Sequence, residues 1–400
     1  MIALEQAVAL LTKQLPPQTQ SELVPLSDAV GRITACTLKA PLAVPNFARS
    51  AMDGYAVYAV DTATASREQP VTLTVLGTIF AGDALNFEAQ VGTAVRIMTG
   101  AAVPVGYDAV VKQETTDYGQ DQVKLYRPVK PGKNYVPVGE DVTHGQTIMA
   151  QDTYLNSDSI GILASLGFTT VPVWRRLRVG LIATGNELVR PGQPLAANQI
   201  YNSTTYSLAA YIERTGGQIV VQTICRDDSA ALTALLTKYS EQVDLFITTG
   251  GVSVGEKDFI PATLAAAGGQ ELFHFVNLKP GTPLYAAVWQ QRPLLALSGN
   301  PFAAMVNFHL FYWALLTRFQ RNDHFQLKQQ RVRLVAGEMP ASTMRRFVRA
   351  ERTDNGVIIA PTGHFSAILH NMVTNNCLVE QAPGQKLVAG DQVTIYVWPN

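Results

Sequence analysis

Residues 177–320 alternate between short apolar stretches and amphipathic stretches, and this alternation constrains the fold more than any other feature. The predicted strands are 177–183, 218–225, 244–248, 272–278 and 294–297, and the predicted helices are 203–215, 229–239, 259–267 and 301–319. Strands that alternate with helices in this way form a largely parallel sheet with helices on both faces. The sequence therefore predicts a three-layer α/β domain, a class that binds ligands at the carboxyl ends of its strands.

The sequence outside this region predicts three further parts. An amphipathic helix opens the chain, and a proline-rich stretch then leads into short strands separated by turns, which indicates an inserted all-β module. The C-terminal part has five short strands and no long helical period, which indicates a small β-barrel. The predicted parts are a segmented N-terminal domain, the inserted β module, the α/β domain and the C-terminal β-barrel, over residues 1–45 with 142–173, 46–141, 174–325 and 326–400.

Composition excludes several classes of protein. The chain has 400 residues, too many for one core, and 31 Lys+Arg residues balance 31 Asp+Glu residues, so no general attraction to nucleic acid or anionic membrane is expected. The N-terminus lacks the basic region and apolar run of a signal peptide, and the most apolar predicted helix, 302–316, is too short to span a bilayer. The three cysteines show no metal-ligand spacing. We therefore expect a cytoplasmic protein that binds neither nucleic acid nor membrane.

The stretch 245–258 predicts an anion-binding site at the end of the third strand. Its apolar run ends in Thr249, Gly250 and Gly251, another glycine follows at Gly255, and Asp258 precedes a helix. Glycine lets the backbone approach a ligand closely at positive φ, so that backbone N–H groups can face an anion. Asp258 would then hold a divalent cation against that anion. The layout is typical of an enzyme that handles a phosphorylated small molecule.

Polar residues also follow the other strands of the predicted sheet. They are Glu187, Asp227 and Asp228, Lys279 and Pro280, and the segment Ser298, Gly299, Asn300 and Pro301. Each match has a structural alternative, because one of the two aspartates can cap a helix and an Asn-Pro pair is a good helix start. Since all of them are predicted at one edge of the sheet, together they indicate a binding site.

The β module carries a second group of polar residues. Ser50 and Asp53 lie in the stretch 46–56, which we interpret as one compact loop, Thr99 follows a predicted strand, and Asp141 closes the module. The structural alternative is an Asx turn at Asp53 and turn caps at Thr99 and Asp141.

Six ordered segments of the chain resemble the molybdopterin molybdenumtransferase family, which includes MoeA and the E domain of gephyrin. They are residues 50–57, 96–101, 139–142, 184–188, 249–258 and 298–301. The resemblance runs through nearly the whole chain and implies the four parts predicted above, with a molybdopterin-binding α/β domain. It also implies a homodimer whose cleft lies between the α/β domain of one subunit and the β module of its partner.

The resemblance implies a reaction as well. Adenylylated molybdopterin and molybdate are the substrates, AMP is cleaved and released, molybdenum remains on the dithiolene, and Mg²⁺ is required. The implied partners include transient contacts with the molybdopterin adenylyltransferase and with assembly factors of molybdoenzymes.

Residues carried over from the family form three groups. The implied catalytic residues are Asp53, Thr99, Asp141, Glu187, Asp227 and Asp258, and Glu187, Asp227 and Asp258 are also the implied metal ligands. Asp227 is preferred to Asp228 because it lies nearer the strand end, although the alignment allows a slip of one residue. The implied substrate and anion ligands are Ser50, Thr249, Gly250, Gly251, Ser253, Gly255, Lys279, Pro280, Ser298, Gly299, Asn300, Pro301, Arg349 and Ser366.

The chain departs from the family pattern at three positions. Thr282 stands where the family often has lysine, Phe275 where it often has lysine or a similar cation, and Asn186 where it often has aspartate. Loss of a charge-assisted contact to an anion is expected to weaken binding by roughly 1–2 kcal/mol.

Two alternative functions remain open at the level of the sequence. One is the molybdopterin adenylyltransferase, which shares the α/β domain but lacks the module that begins near Ser50. The other is a non-catalytic scaffold that binds pterin or partner proteins, as gephyrin does. Retention of all the acids favours catalysis.

Overall fold

The computed structural model describes residues 1–84, 86–252 and 259–399 of the chain. The N-terminal segment contains α1 (Leu4–Lys13), β1 (Ser21–Pro25) and β2 (Leu38–Lys39). The helix ends shortly before Pro16 and Pro17, since proline cannot continue the hydrogen-bond ladder. The apolar face of α1, with Leu4, Ala7 and Leu11 buried, belongs to the core of the α/β domain.

The β module follows as a five-stranded sheet with a short two-stranded ribbon. Its strands are β3 (Arg49–Ser50), β4 (Gly54–Val57), β5 (Val71–Ile79), β6 (Thr93–Ile97), β7 (Ala109–Lys112), β8 (Gln122–Leu125) and β9 (Tyr135–Val136). The sheet has the order β7-β4-β6-β5-β8, and β3 pairs with β9. The interpretation of 46–56 as a loop is therefore wrong, because this stretch contains β3 and most of β4. All four residues of β4 are buried, so it shows none of the alternation by which a strand is recognised.

The chain then returns through β10 (Thr147–Met149), α2 (Ser157–Ser165) and β11 (Thr170–Trp174). β11 pairs antiparallel with β1, and β10 pairs antiparallel with β2. The segments before and after the β module are therefore joined by backbone hydrogen bonds. Asn156 and Ser159 form a capping box at the start of α2.

The α/β domain contains the predicted alternation of strands and helices, with additions. Its elements are β12 (Arg178–Thr184), β13 (Leu188–Val189), β14 (Ile200–Tyr201), α3 (Thr204–Arg214), β15 (Gln218–Cys225), α4 (Ser229–Tyr239), β16 (Leu245–Thr249), α5 (Ile260–Ala266), β17 (Gln270–His274), β18 (Tyr285–Trp289), β19 (Arg292–Leu297) and α6 (Pro301–Gln320). The six-stranded sheet has the order β15-β12-β16-β19-β18-β17.

Most of this sheet is parallel, as predicted, but one edge is not. β12 pairs parallel with β15 and β16, and β16 pairs parallel with β19. β18, which the sequence analysis missed, runs antiparallel to both β19 and β17. Because β17 and β19 are each antiparallel to β18, β17 points the same way as the parallel strands. The carboxyl ends of five strands therefore still lie at one edge of the sheet.

Helix α6 is buried along nearly its whole length, which makes it the centre of the largest core cluster. Its buried Phe308, Tyr312 and Trp313 share this cluster with α1 and with Phe347 and Tyr396 of the C-terminal region. A helix that is apolar on all sides must be surrounded by protein.

The C-terminal strands close into a barrel, as predicted. They are β20 (Lys328–Ala336), β21 (Arg346–Thr353), β22 (Gly356–Ile358), β23 (Cys377–Gln381) and β24 (Gln392–Val397), in the order β20-β22-β21-β23-β24. Closure leaves no unpaired edge strand. Among the described residues, no helix has the length and apolar character that crossing a lipid bilayer requires.

Candidate active site

A cleft of about 790 Å³ lies at the edge of the sheet where the parallel strands end. Segments that follow β12, β15, β16 and β19 line it, together with a loop of the barrel domain. The predicted site residues that line this cleft are Glu187, Asp227, Thr249, Gly250, Gly251, Pro280, Ser298, Gly299, Asn300, Pro301 and Ser366. The structure therefore brings together most of the residues that were predicted at this edge.

The two aspartates after β15 have different positions. Asp228 caps α4, because its carboxylate accepts a hydrogen bond of 2.8 Å from the backbone N–H of Ala231. Asp227 lines the cleft instead, and its carboxylate accepts a hydrogen bond of 3.2 Å from the side-chain amide of Asn186. The backbone N–H of Asp227 in turn donates to the Asn186 side-chain oxygen at 3.3 Å. Of the two aspartates, the structure thus places Asp227, and not Asp228, in the lining of the cleft, which also includes Glu187.

The glycine turn after β16 has the backbone conformation that its sequence predicts. Gly250 and Gly251 have φ values of 92° and 66°, which side chains other than glycine rarely tolerate. A Cβ atom on Gly250 would lie 2.5 Å from the carbonyl oxygen of Thr184 on the neighbouring strand. The turn is therefore pressed against the end of β12, and its backbone faces the cleft.

Three predicted residues of the same turn, Ser253, Gly255 and Asp258, lie outside the described residues. Within the described ranges, no three His, Cys, Asp or Glu side chains lie close enough together to hold a metal ion. Glu187 and Asp227 supply carboxylate oxygens to the cleft. Mg²⁺ binds through one or two protein carboxylates together with waters and substrate phosphates, so these two residues fit that ion.

The start of α6 forms one side of the cleft. Asn300 occupies the N-cap position, but its side chain makes no capping hydrogen bond, and Pro301 is the first helical residue. The backbone N–H of Asn300 donates to the Ser298 hydroxyl at 3.3 Å, and the N–H of Phe302 donates to the carbonyl of Ser366 at 2.9 Å. The second bond ties the barrel domain to the N-terminus of α6, which explains why Ser366 reaches the cleft.

Arg349 does not line the cleft. It is fully buried, and its guanidinium donates to the carbonyls of Ile368 and Phe365 and to the side chain of Asn371, at 2.5–2.9 Å. It also stacks 3.4 Å above the ring of Phe302. Burial lowers the pKa of Arg349 to about 10. Its role in the structure is to hold the barrel loop that carries Ser366.

Lys279 lies in an adjoining pocket of about 590 Å³, which shares Pro280 and Ser366 with the cleft. Two positions that depart from the family pattern, Thr282 and Phe275, lie nearby, and each side chain contacts a neighbouring group of the protein. The hydroxyl of Thr282 donates to the carbonyl of Leu278 at 2.5 Å, and the ring of Phe275 stacks on His274 at 3.8 Å. Neither side chain supplies a positive charge to this region.

Two of the residues predicted in the β module, Asp53 and Thr99, line a separate pocket of about 400 Å³. The backbone N–H and the hydroxyl of Thr99 both donate to Asp53 at 2.7 Å, and these bonds lower the pKa of the carboxyl group. Asp141 is exposed, and its backbone N–H bonds to Val44. Ser50 is buried, and its hydroxyl bonds to the backbone of Met52. Within one chain, Asp53 and Thr99 therefore lie in a pocket apart from the cleft.

The sequence analysis missed one wall of the cleft, formed by β14 and the start of α3. Its residues are Ile200, Tyr201, Asn202, Ser203 and Thr204. The parallel pair β13 and β14 has two residues in each strand, too few to show a period. The start of a predicted helix at residue 203 was the available signal, since a helix N-terminus favours anions.

The conformation of the turn leads to a prediction about Gly250. Gly250→Ala is expected to lower the free energy of unfolding by about 2–4 kcal/mol, because the methyl group meets a backbone carbonyl and φ is positive. Gly299→Ala is the matched control, since its methyl group meets its nearest neighbour at an ordinary 3.5 Å. That substitution is expected to change stability by no more than about 1 kcal/mol. Urea unfolding of both variants checks the difference, and equal losses would contradict it.

The chain matches two protein-family models and is similar to several known proteins along most of its length. Residues 2–167 match the model of the MoeA N-terminal region (domain I and II), and residues 180–318 match that of a probable molybdopterin binding domain. A molybdopterin molybdenumtransferase of Haemophilus influenzae is 37% identical over 321 residues, 80% of this chain and 78% of that protein. One of Synechococcus elongatus is 33% identical over 380 residues, 94% of each. A crystal structure of a molybdopterin biosynthesis MoeA protein from Pyrococcus horikoshii has a TM-score of 0.87 at 28% identity and covers 99% of both chains.

Proposed function

Because the chain belongs to the molybdopterin molybdenumtransferase (MoeA) family, we propose that it inserts molybdenum from molybdate into adenylylated molybdopterin and releases AMP. The observation that carries the proposal is the cleft, in which two carboxylates face a glycine turn and two helix N-termini. Carboxylates and anion-binding backbone groups belong in one site only when a cation lies between the acids and an anionic ligand.

Different groups among the described residues would have different roles in the reaction. Backbone N–H groups of the glycine turn and the N-termini of α3 and α6 would bind phosphate oxygens. Glu187 and Asp227 would hold Mg²⁺, which supplies charge to polarise the phosphoanhydride. The Asn186 amide would orient the Asp227 carboxylate. Asp258 would complete the set of acids. Lys279 and Ser298 would help neutralise the phosphate, and Ser366 would contact the molybdate.

We also propose that the site is completed by a second copy of the chain. Asp53 and Thr99 lie in their own pocket of the β module and do not line the cleft of the same chain. In a homodimer, the β module of one subunit would bring Asp53, Thr99 and Asp141 to the cleft of the other. Separation of the predicted catalytic residues within one chain supports this arrangement.

The other candidate functions are not favoured. Relatives that match most of the chain are named molybdopterin molybdenumtransferase. This similarity favours neither the molybdopterin adenylyltransferase nor the non-catalytic scaffold. We propose that the protein acts in the cytoplasm. There it would receive its substrate from the adenylyltransferase and contact assembly factors of molybdoenzymes.

Release of AMP tests the proposal directly. Purified protein is expected to release AMP from adenylylated molybdopterin when molybdate and Mg²⁺ are present, and at least about tenfold more slowly after Mg²⁺ is chelated. Chromatography of the nucleotide gives the rate, and binding of Mn²⁺ measured by electron paramagnetic resonance gives an independent readout of the metal. A protein that binds the substrate without releasing AMP would be a scaffold, and one that makes the adenylylated form from ATP would be an adenylyltransferase.

A further inference from the structure

A cavity of about 150 Å³, here called the arginine cavity, lies at the opposite edge of the α/β sheet from the cleft. Its polar lining residues are Arg32, Tyr154, Arg176, Glu213, Arg214, Thr215 and His324. Arg176 precedes the first residue of β12, and the turn after α3 precedes the first residue of β15. Because a seven-residue strand is roughly 20 Å long, the arginine cavity is about that far from the cleft.

Arg176 differs from the nearby Arg175 and Arg178 in its electrostatic contacts. The guanidinium groups of Arg175 and Arg178 both bind Asp244, at 2.7 and 3.1 Å. No hydrogen bond or ion pair joins the guanidinium of Arg176 to any residue within 1–84, 86–252 and 259–399. The sequence therefore places three arginines around one strand start, but the fold gives a carboxylate partner, shared between them, only to the outer two.

The surroundings of Arg176 do not compensate its charge. Burial lowers the pKa of Arg176, and repulsion from Arg32 lowers it further. Glu22 and Asp28 act in the opposite direction, but Glu22 is paired with Arg32 and Asp28 lies exposed, outside the cavity lining. Arg176 is half-buried, so its guanidinium stays accessible from the cavity and has no protein acceptor among the described residues. An anion in the cavity would supply that acceptor.

The other lining groups suit an anion as well. Arg214 extends its guanidinium to the carbonyl of Pro399 at 3.3 Å and so contributes positive charge. His324 stacks on Tyr154 at 3.6 Å, and burial lowers its pKa, so at neutral pH it offers a hydrogen bond and no charge. Glu213 is the one carboxylate among the residues that line the cavity in the described structure. The space corresponds to about five water molecules, enough for one tetrahedral oxyanion with some water.

We propose that the arginine cavity binds a tetrahedral oxyanion of the phosphate and sulfate class, with the guanidinium of Arg176 as its main ligand and Arg214 beside it. The proposal is independent of the function proposed for the cleft. The guanidinium group of arginine binds such oxyanions best among side-chain groups, because it donates two parallel hydrogen bonds.

Calorimetric titration with phosphate, sulfate and molybdate at constant ionic strength tests the site. Saturable binding of any of the three that depends on Arg176 is expected. Arg176→Met is expected to weaken it at least about tenfold, and Arg176→Lys to weaken it less, because lysine keeps the charge but donates no parallel pair. Glu213→Gln is expected to tighten binding, since it removes the carboxylate from the lining. That result does not depend on whether the arginine variants fold.

Lys279→Met separates this cavity from the cleft. This change removes a positive charge near the cleft and is expected to leave oxyanion binding at the arginine cavity unchanged. Thermal unfolding of each variant without added anion verifies that the fold is retained. Binding that persists in Arg176→Met and disappears in Lys279→Met would place the oxyanion near the cleft and overturn the proposal. Absence of saturable binding up to about 10 mM of each anion would overturn it as well.

Discussion

Asp227→Asn is expected to lower the rate of AMP release by about 100-fold or more, because it removes one of the two carboxylates that would hold Mg²⁺ in the cleft. Asparagine has nearly the same shape and can keep a hydrogen bond to Asn186, so the fold should be retained. The affinity for Mn²⁺, used as a probe for Mg²⁺, is expected to fall with the rate. Steady-state assays and electron paramagnetic resonance measure the two effects separately.

Asp228→Asn is the matched control, because it makes the same chemical change one residue away. Asp228 caps α4 through its side-chain oxygen, and asparagine caps a helix about as well as aspartate does. The control is therefore expected to retain both activity and stability. If Asp228→Asn proved inactive while Asp227→Asn turned over normally, the assignment of the site acid after β15 would be reversed.

A mixture of Asp53→Asn and Asp227→Asn proteins is expected to recover about a quarter of the wild-type activity, although each protein alone is expected to be nearly inactive. In a homodimer with shared sites, random exchange makes about half of the dimers mixed, and each mixed dimer has one intact site of two. The recovered site would combine Asp53 from one subunit with Asp227 from the other. AMP release before and after subunit exchange provides the measurement.

The complementation experiment also distinguishes between arrangements. A mixture that stays inactive after verified exchange of subunits would mean that Asp53 and Asp227 act within the same chain. Sedimentation would then show whether the protein is a dimer at all. Asp53 keeps its hydrogen bonds to Thr99 irrespective of the partner, so loss of folding is not expected in the single variants.

Several parts of the fold were predictable because they depend on local sequence periodicity. The βα alternation of residues 177–320 shows its period over many residues, and the C-terminal part shows β stretches without a long helical period. β4, β13, β14 and β18 were missed, because they are short or buried on both faces and are defined by the strands beside them. Pairing partners of this kind are not encoded in any single segment.

In the candidate site, too, local sequence features were predictable and tertiary contacts were not. Glycines at positive φ and acids at strand ends are local features, so Gly250, Gly251, Glu187 and Asp227 could be named from the sequence. The choice between Asp227 and Asp228 depended on which side chain met the first turn of α4. Arg349 was expected beside the ligand, but the packing of Phe302 and the barrel loop enclose it.

By itself, the sequence determined the family, the main βα alternation of the α/β domain, and the turns that need glycine, because these depend on residue types and short spacings. Tertiary structure alone decided which charged groups are satisfied. Arg175 and Arg178 meet Asp244 while Arg176 has no such partner in the described chain, and Asp53 lies in a different pocket from Asp227. The physical reason is that electrostatic and packing interactions act across space, between residues that are far apart along the chain.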